Sequence, residues 1–249
     1  MKDIKAEIEK RVEFIKQTLK DAGAGAIVYG NSGGKDCTLV GVLCKMACDN
    51  TVGIIMPCES SRNYGIDREH ALKAASLYGI KTLEIDLTSV KKEFVKVLEP
   101  AFADGIEKNL NSAKFNINPR LRMITLYAYA QAHNALVAGT GNRSERYMGY
   151  FTKWGDGACD FNPIADLTVG EIYEMLRALN APVEIIDKAP SAGLFEGQTD
   201  EDEMGVTYKE IDSYILSGQA GERAKTIIES AHKKTGHKRE LPKVYRLLD

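Results

Sequence analysis

Residues 27–43 read IVYGNSGGKDCTLVGVL, an apolar run that breaks into Gly30, Asn31, Ser32, Gly33 and Gly34 and resumes, after Lys35 and Asp36, as a second apolar run. A short apolar run bounded by glycine fits a buried strand, and the stretch after Asp36 has the length of a helix. The turn between them is the informative part. The first backbone N–H groups of a helix lack partners and its dipole favours negative charge, so a glycine turn feeding a helix start suits a phosphate. A glycine-stopped strand followed by an Asp-capped helix is the plainer alternative.

The same grammar repeats along the chain. Ile4, Ile8, Val12, Ile15 and Leu19 recur at helical spacing up to a stop at Asp21-Ala22-Gly23. TVGIIMP (51–57) and IKTLEID (80–86) read as strands, separated by a helix over 66–78 that Gly79 ends. Residues 88–99 and 117–133 have helical texture, and ALVAGTGN (135–142) is a second strand that empties into glycine. Further helices are expected near 168–179, 207–217 and 220–234. Strands alternating with helices predict an α/β fold, a doubly wound parallel sheet with helices on both faces, whose ligands bind outside the carboxyl ends of the strands. Residues 188–206 carry no apolar periodicity, and a connection of that length in a compact domain points to function or mobility. With no internal repeat and no linker, residues 1–249 are expected to form a single domain.

Bulk properties narrow the function. A formal charge of −2, with 44% hydrophobic and 27% charged residues, is that of an ordinary globular chain and argues against an electrostatic nucleic-acid binder. The first twenty residues are too charged for a secretory signal, and no run approaches the roughly 18 apolar residues of a membrane span, so a cytoplasmic address without membrane contact is expected. The five cysteines (37, 44, 48, 58 and 159) are an odd number, which argues against a disulfide framework, and Cys37, Cys44 and Cys48, on one helix face without paired C-x-x-C spacing, suit small packed hydrophobes better than a structural metal. His70 and His133 fall in helices without a metal-type partner and read as structural.

Three glycine signatures can be compared with the turn. Walker A needs G-x-x-x-x-G-K-[ST]; Gly30 to Gly34 is one residue short, and Asp36 stands where the hydroxyl belongs. The dinucleotide fingerprint G-x-G-x-x-G lacks its third glycine in both GAGAIV and GTGNRS. What remains, SGGKD after a strand, resembles the PP-loop S-G-G-x-D-S of the N-type ATP pyrophosphatases. That resemblance implies an adenine nucleotide alpha hydrolase-like, Rossmann-like sheet on which the turn cradles ATP, AMP is transferred and pyrophosphate leaves. Gly33 and Gly34 admit phosphate oxygens to the backbone, Ser32 adds a hydroxyl donor, and Asp36 offers Mg²⁺ a hard oxygen.

A downstream block narrows the resemblance. Residues 139–168, GTGNRSERYMGYFTKWGDGACDFNPIADLT, with NINPRLRM (116–123), KAPSAGLFEGQTDEDEMG (188–205) and GHKR (236–239), are similar in order to the ammonia-dependent NAD⁺ synthetase family. The resemblance implies an enzyme, a ligase that amidates deamido-NAD⁺ to NAD⁺ with ammonia through an adenylated carboxylate, ATP being the co-substrate. It implies ATP contacts at Gly30, Asn31, Ser32, Gly33, Gly34, Lys35, Asp36, Cys37, Thr140 and Ser191. Asp36 and Glu145 would hold Mg²⁺, and Arg120, Lys153, Asp160, His237 and Lys238 would hold deamido-NAD⁺. It further implies a homodimer, to which the helical region 88–133 is suited. Such chemistry needs positioning and charge neutralisation and no protein nucleophile, and closure of residues 188–206 over the intermediate would exclude the water that competes with ammonia.

Taken singly, each of these residues has a bland reading. Glu145 is also an ordinary first-turn carboxylate beside Asn142, and Lys153, Lys238 and Arg120 are also ordinary surface charges. The acidic run 200–203 is normally a solvated face or the start of a helix. Three departures from the family pattern stand out: Cys37 for a serine, Val169 where a lysine is common, and Lys35 where an uncharged residue is common. No second domain and no N-terminal cysteine is present for a glutaminase, so free ammonia, or an external source of it, is the expected donor. The alternatives are a PP-loop enzyme that adenylates RNA, for which a basic surface is missing, and a nucleotide sensor without catalysis.

Overall fold

The strand and helix flanking the glycine turn form where the periodicity places them. The computed structural model describes residues 3–59, 64–188 and 199–245. In chain order these form α1 (Ile4–Ala22), β1 (Ala26–Gly30), α2 (Lys35–Ala47), β2 (Thr51–Ile55), α3 (Ile66–Tyr78), β3 (Lys81–Glu84), α4 (Thr88–Val97), α5 (Glu99–Phe102), α6 (Glu107–Phe115), α7 (Ile117–Ala132), β4 (Ala135–Val137) and α8 (Arg143–Met148). There follow α9 (Val169–Ala178), α10 (Val183–Ile186), α11 (Asp200–Met204), α12 (Tyr208–Ser217), α13 (Glu222–Lys234) and α14 (Gly236–Arg239).

The described strands make one parallel sheet in the order β3-β2-β1-β4. Register places Val28 of β1 opposite both Val52 of β2 and Val137 of β4, so β1 is central and its carboxyl end is level with that of β4. Alternation along β1 divides the core. Ile27 and Tyr29 join α1, α2 and α9 on one face, while Val28 joins Leu121 and Ala130 of α7 on the other. Ile27, Val28 and Ile54 are fully buried, and each such side chain contributes about 1.5–3 kcal/mol of hydrophobic stabilisation. The doubly wound α/β class expected from the sequence is the observed one.

Local signals set the helix limits. Asp3 caps α1 by accepting from Ala6 N–H at 3.0 Å, and Gly23 ends it in the left-handed conformation. Arg11 of α1 is buried and donates to both carboxylate oxygens of Asp166, at 2.7 and 2.8 Å, and to the carbonyl of Pro163, fastening α1 to the segment that leads into α9. Two expectations need refinement. The helical texture of 88–99 continues through the short α5 and then α6, and the acidic run at 200–203 forms its own helix, capped by Thr199 and separate from α12. No described helix is long and apolar enough to cross a membrane. A third apolar cluster joins Met148 and Val169 to Tyr208, Ile211 and Ile228, binding α8 and α9 to α12 and α13.

Candidate nucleotide-binding and adenylation site

β1 and β4 both empty into glycine, and because they are neighbours their turns meet. Residues 30–32, 34–37 and 138–141 line one cleft of about 700 Å³ with Glu145, Arg122, Tyr150, Asp200 and Lys238. The first turn is held by its own side chains: Asn31 Oδ1 accepts from Gly33 N–H at 3.2 Å, and Ser32 Oγ contacts Cys37 Sγ at 3.1 Å. Gly33 adopts φ +69° and packs on α3, where an added Cβ would lie 2.1 Å from the Asp67 carbonyl. Only glycine combines that conformation with that approach. Gly34 then starts α2 without a side-chain cap, so the helix N-terminus faces the cleft with its amides uncovered by any side chain of the cap residue.

The acids come from the two turns. Asp36 Oδ1 accepts from the Asn142 side-chain amide at 3.1 Å, and Asp36 Oδ2 pairs with Lys35 Nζ at 2.8 Å. Glu145 lies in the first turn of α8 and closes a capping box: its Oε2 accepts from Asn142 N–H at 3.0 Å, while Asn142 Oδ1 accepts from Glu145 N–H at 2.9 Å. The bland reading of Glu145 as a first-turn carboxylate is therefore realised, in a place that also faces Asp36. Burial, and then the Asp36 charge, push Glu145 up to about 8. Burial opposes the charge of Lys35, yet Asp36 and Glu145 outweigh it and hold the ammonium above the ordinary lysine range.

Two facing carboxyl groups, one of them pushed up by burial and then by the charge of the other, form a hard-oxygen donor set that gains from a divalent cation. Among the described residues no group of three or more His, Cys, Asp or Glu is placed to hold a metal. Mg²⁺ fits such a pair, because it commonly takes one or two carboxylates and completes its shell with water and phosphate oxygens.

The expected site residues fall into groups. Gly30, Asn31, Ser32, Gly34, Lys35, Asp36, Cys37, Thr140, Glu145 and Lys238 line the cleft, and Gly33 supports it from behind. Exposed Arg120 and His237 are joined beside it by half-buried Lys153 instead. Arg120 Nη2 donates to the Lys153 carbonyl at 3.3 Å, and Lys153 Nζ donates to the His237 carbonyl at 2.6 Å. Asp160 lies at the sheet edge, accepting from Val137 N–H at 2.7 Å and from Tyr127 at 3.1 Å. Lys238 donates to the carbonyls of Gly149 and Phe151 at 2.8 and 2.7 Å. Ser191 lies outside the described residues, as does most of the 188–206 stretch. Val169 is buried and apolar in a cluster with Tyr208, and the Lys35 ammonium lies 5.4 Å from the centre of the Tyr208 ring. Burial raises the Cys37 thiol above its ordinary range, which keeps it protonated and unsuited to nucleophilic attack.

Several residues in or beside the cleft differed in how much signal they carried. Asn142 was readable as the cap of an N-x-x-E box. Asp200 was not: it is 5% exposed beneath Tyr150 and Tyr208, whose hydroxyls donate to it at 3.3 and 3.1 Å. Arg122 faces the cleft and donates to the Met56 carbonyl at 3.1 Å, while Arg120, two residues earlier, is exposed.

Residues 7–245 match the family described as NAD synthase. A chain from Carboxydothermus hydrogenoformans named NH(3)-dependent NAD(+) synthetase is 44% identical over 237 residues, 95% of each chain. Among solved structures, an NMN synthetase from Francisella tularensis is similar with a TM-score of 0.90 and 35% identity, over 98% of this chain and 99% of that one. An NH3-dependent NAD synthetase from Campylobacter jejuni, solved with a nitrate ion, is similar with a TM-score of 0.79 and 30% identity, over 98% and 100%.

Proposed function

We infer the reaction from one premise: the chain belongs to the NAD synthase family. It is a ligase that carries out the ATP-dependent amidation of deamido-NAD⁺ with ammonia. The observation that carries the residue assignments is the meeting of the β1 and β4 turns, which sets a glycine turn, a helix N-terminus and two acids in one cleft.

A carboxylate is a poor electrophile and must be activated first. A nicotinate oxygen attacks the α-phosphorus of ATP; the new O–P bond makes a mixed acyl-AMP anhydride as the bond to pyrophosphate breaks. Ammonia then adds to the acyl carbon, the C–O bond to AMP breaks, a proton passes to solvent, and NAD⁺ and AMP remain. Uncovered amides at the start of α2, the Ser32 hydroxyl and the Lys35 ammonium receive the pyrophosphate, so positioning and charge stabilisation drive the first step. Asp36 and Glu145 would hold Mg²⁺, whose part is to neutralise charge on the departing pyrophosphate. Asn142 orients both acids.

Arg120, Lys153, Asp160, His237 and Lys238 are assigned to deamido-NAD⁺, and Arg120 offers an anion the planar fork that lysine lacks. Arg120 and His237 are exposed beside the cleft, and Val90, Phe94, Val97, Ile106 and Ile124 are exposed on or beside helices α4 to α7. Both features support a homodimer in which a second copy completes the dinucleotide site, the whole chain acting as one unit; sedimentation equilibrium giving a monomer in the presence of substrate would exclude it.

Incubation with ATP, Mg²⁺ and deamido-NAD⁺ is expected to yield NAD⁺ only when ammonium is added, with AMP and pyrophosphate accumulating alongside it. No NAD⁺ with ammonium present would overturn the reading. The close fold likeness to an NMN synthetase favours a second reading, in which the acid is nicotinate mononucleotide. Running both acids in parallel decides between them by the ratio of kcat/KM.

A further inference from the structure

The two acids assigned to the divalent ion already have a cation of their own. Lys35 Nζ is 2.8 Å from Asp36 Oδ2, and the residue is only 7% exposed although it lines an open cleft. The other Asp36 oxygen accepts from Asn142, so each oxygen of this carboxylate has a donor. Behind the ammonium stands the Tyr208 ring, itself buried, and the charge of Glu145 reaches it from α8. Burying an ammonium is costly unless anions compensate it, and here Asp36 and Glu145 do so. The same two anions are the ones a divalent cation needs.

We propose that Lys35 is an exchangeable counter-ion: it neutralises Asp36 and Glu145 in the ligand-free chain and must give up Asp36 before a divalent cation binds. This rests on the assignment of Asp36 and Glu145 to the metal. An ammonium and a divalent ion on one carboxylate repel each other, and a Lys35 displaced without nucleotide is left in a buried position without its salt-bridge partner. A triphosphate removes that difficulty, since it offers the ammonium a new anionic partner in the same cleft. Nucleotide and metal therefore bind as a coupled pair, each strengthening the other, and Lys35 is the positioning residue that couples them.

The test counts free Mn²⁺ by its paramagnetic resonance signal, with and without α,β-methylene-ATP, each against the same solution lacking protein, so that metal held by the analogue alone is subtracted. The parent protein is expected to bind Mn²⁺ weakly alone and tightly with the analogue. Lys35→Met removes the competitor, so its Mn²⁺ affinity without nucleotide rises about tenfold or more, the scale expected for deleting one charge beside a partly buried carboxylate pair. The gain from adding the analogue shrinks in the same variant. Lys35→Arg, which keeps the charge, retains the weak binding. Lys35→Gln serves in place of the methionine variant should that one not fold. Equal nucleotide-free affinity in the parent and the neutral variants would refute the counter-ion role. Mn²⁺ binding with the analogue that survives Asp36→Asn unchanged is a different result, and it would remove the metal assignment beneath it.

Discussion

Asn142 and Asp36, 106 residues apart in the chain, are joined by a hydrogen bond of 3.1 Å from the asparagine side-chain amide to Oδ1 of the carboxylate. The same asparagine is fully buried and caps α8 through Glu145. One side chain thereby fixes the orientation of both acids, one through its amide nitrogen and the other through its carbonyl oxygen and backbone.

Removing that link separates a fold effect from a site effect. Asn142→Ala is expected to lose about 1–2 kcal/mol of stability, the usual worth of an N-cap. Turnover should fall about 10- to 100-fold, the usual cost of losing a residue that orients a ligand side chain. Asn142→Ser restores the cap but not the reach to Asp36, so stability recovers and turnover does not. Thermal melts and steady-state rates together check this; a Ser variant with parental turnover would show that the link to Asp36 is idle.

Gly33 tests the rigidity of the first turn. A left-handed residue with a Cβ costs about 1–2 kcal/mol by itself. Here the Cβ would also meet the Asp67 carbonyl at 2.1 Å and the Ala71 amide at 2.9 Å. Gly33→Ala is therefore expected to push α3 away from the turn, lowering the melting temperature and abolishing ATP binding measured by calorimetry. Parental affinity in this variant would mean that the turn does not hold the nucleotide.

Acid stability should report the Arg11–Asp166 contact. Hydrogen bonding from Arg11, then its charge, holds Asp166 below the ordinary carboxylate value of 3.8. A carboxylate lowered on folding stabilises the protein above its unfolded value, and that contribution disappears as pH falls through the folded value. The parent should exceed Asp166→Asn in stability by a constant amount above pH 3.8, and the gap should close below it. The Asp166 side chain is 70% exposed, so the gap is about 1 kcal/mol or less. Urea titrations from pH 3 to 7 measure it, and a gap that persists unchanged at the acid end would contradict the assignment.

Lys238 carries a structural load whatever it does for substrate. Its ammonium serves two backbone carbonyls, of Gly149 and Phe151, and lies 5.4 Å from the centre of the Phe151 ring. Lys238→Met is expected to cost about 2 kcal/mol, since hydrogen bonds involving a charge are worth about 1.5–3 kcal/mol. The variant should also raise KM for the dinucleotide. A melting temperature equal to the parent's would show that the two carbonyls find water instead.

How far the molecule was legible depended on the range of each interaction. The glycine turn, the alternation and the parallel sheet were readable because they rest on neighbours along the chain, as did the cap of α8. Asp200 reads as one member of a solvated acidic run, and nothing nearby signals that tyrosines at 150 and 208 close over it. Arg120 and Arg122 are a similar case: residues two apart project from opposite sides of a helix, and the packing of α7 decides which side is the cleft. The pairing of Lys35 with Asp36 was hidden for a different reason. Adjacent residues do not normally face each other on a helix, and these two do so in the first turn of α2, where the chain has just left the glycine turn.

β1 and β4 are hydrogen-bonded partners, yet residues 31–134 lie between them, and α4 to α7 occupy the later part of that span. The chemistry that spends ATP is therefore pinned by the seam between these two neighbouring strands, and the helices of the detour attach to it without being part of the pinning. Selection can recut those helices to admit a different acid, larger or smaller, while the two turns stay in step. A change of acceptor in this lineage should accordingly be written in those helices and around the residues assigned to deamido-NAD⁺, and the two glycine turns should carry no trace of it.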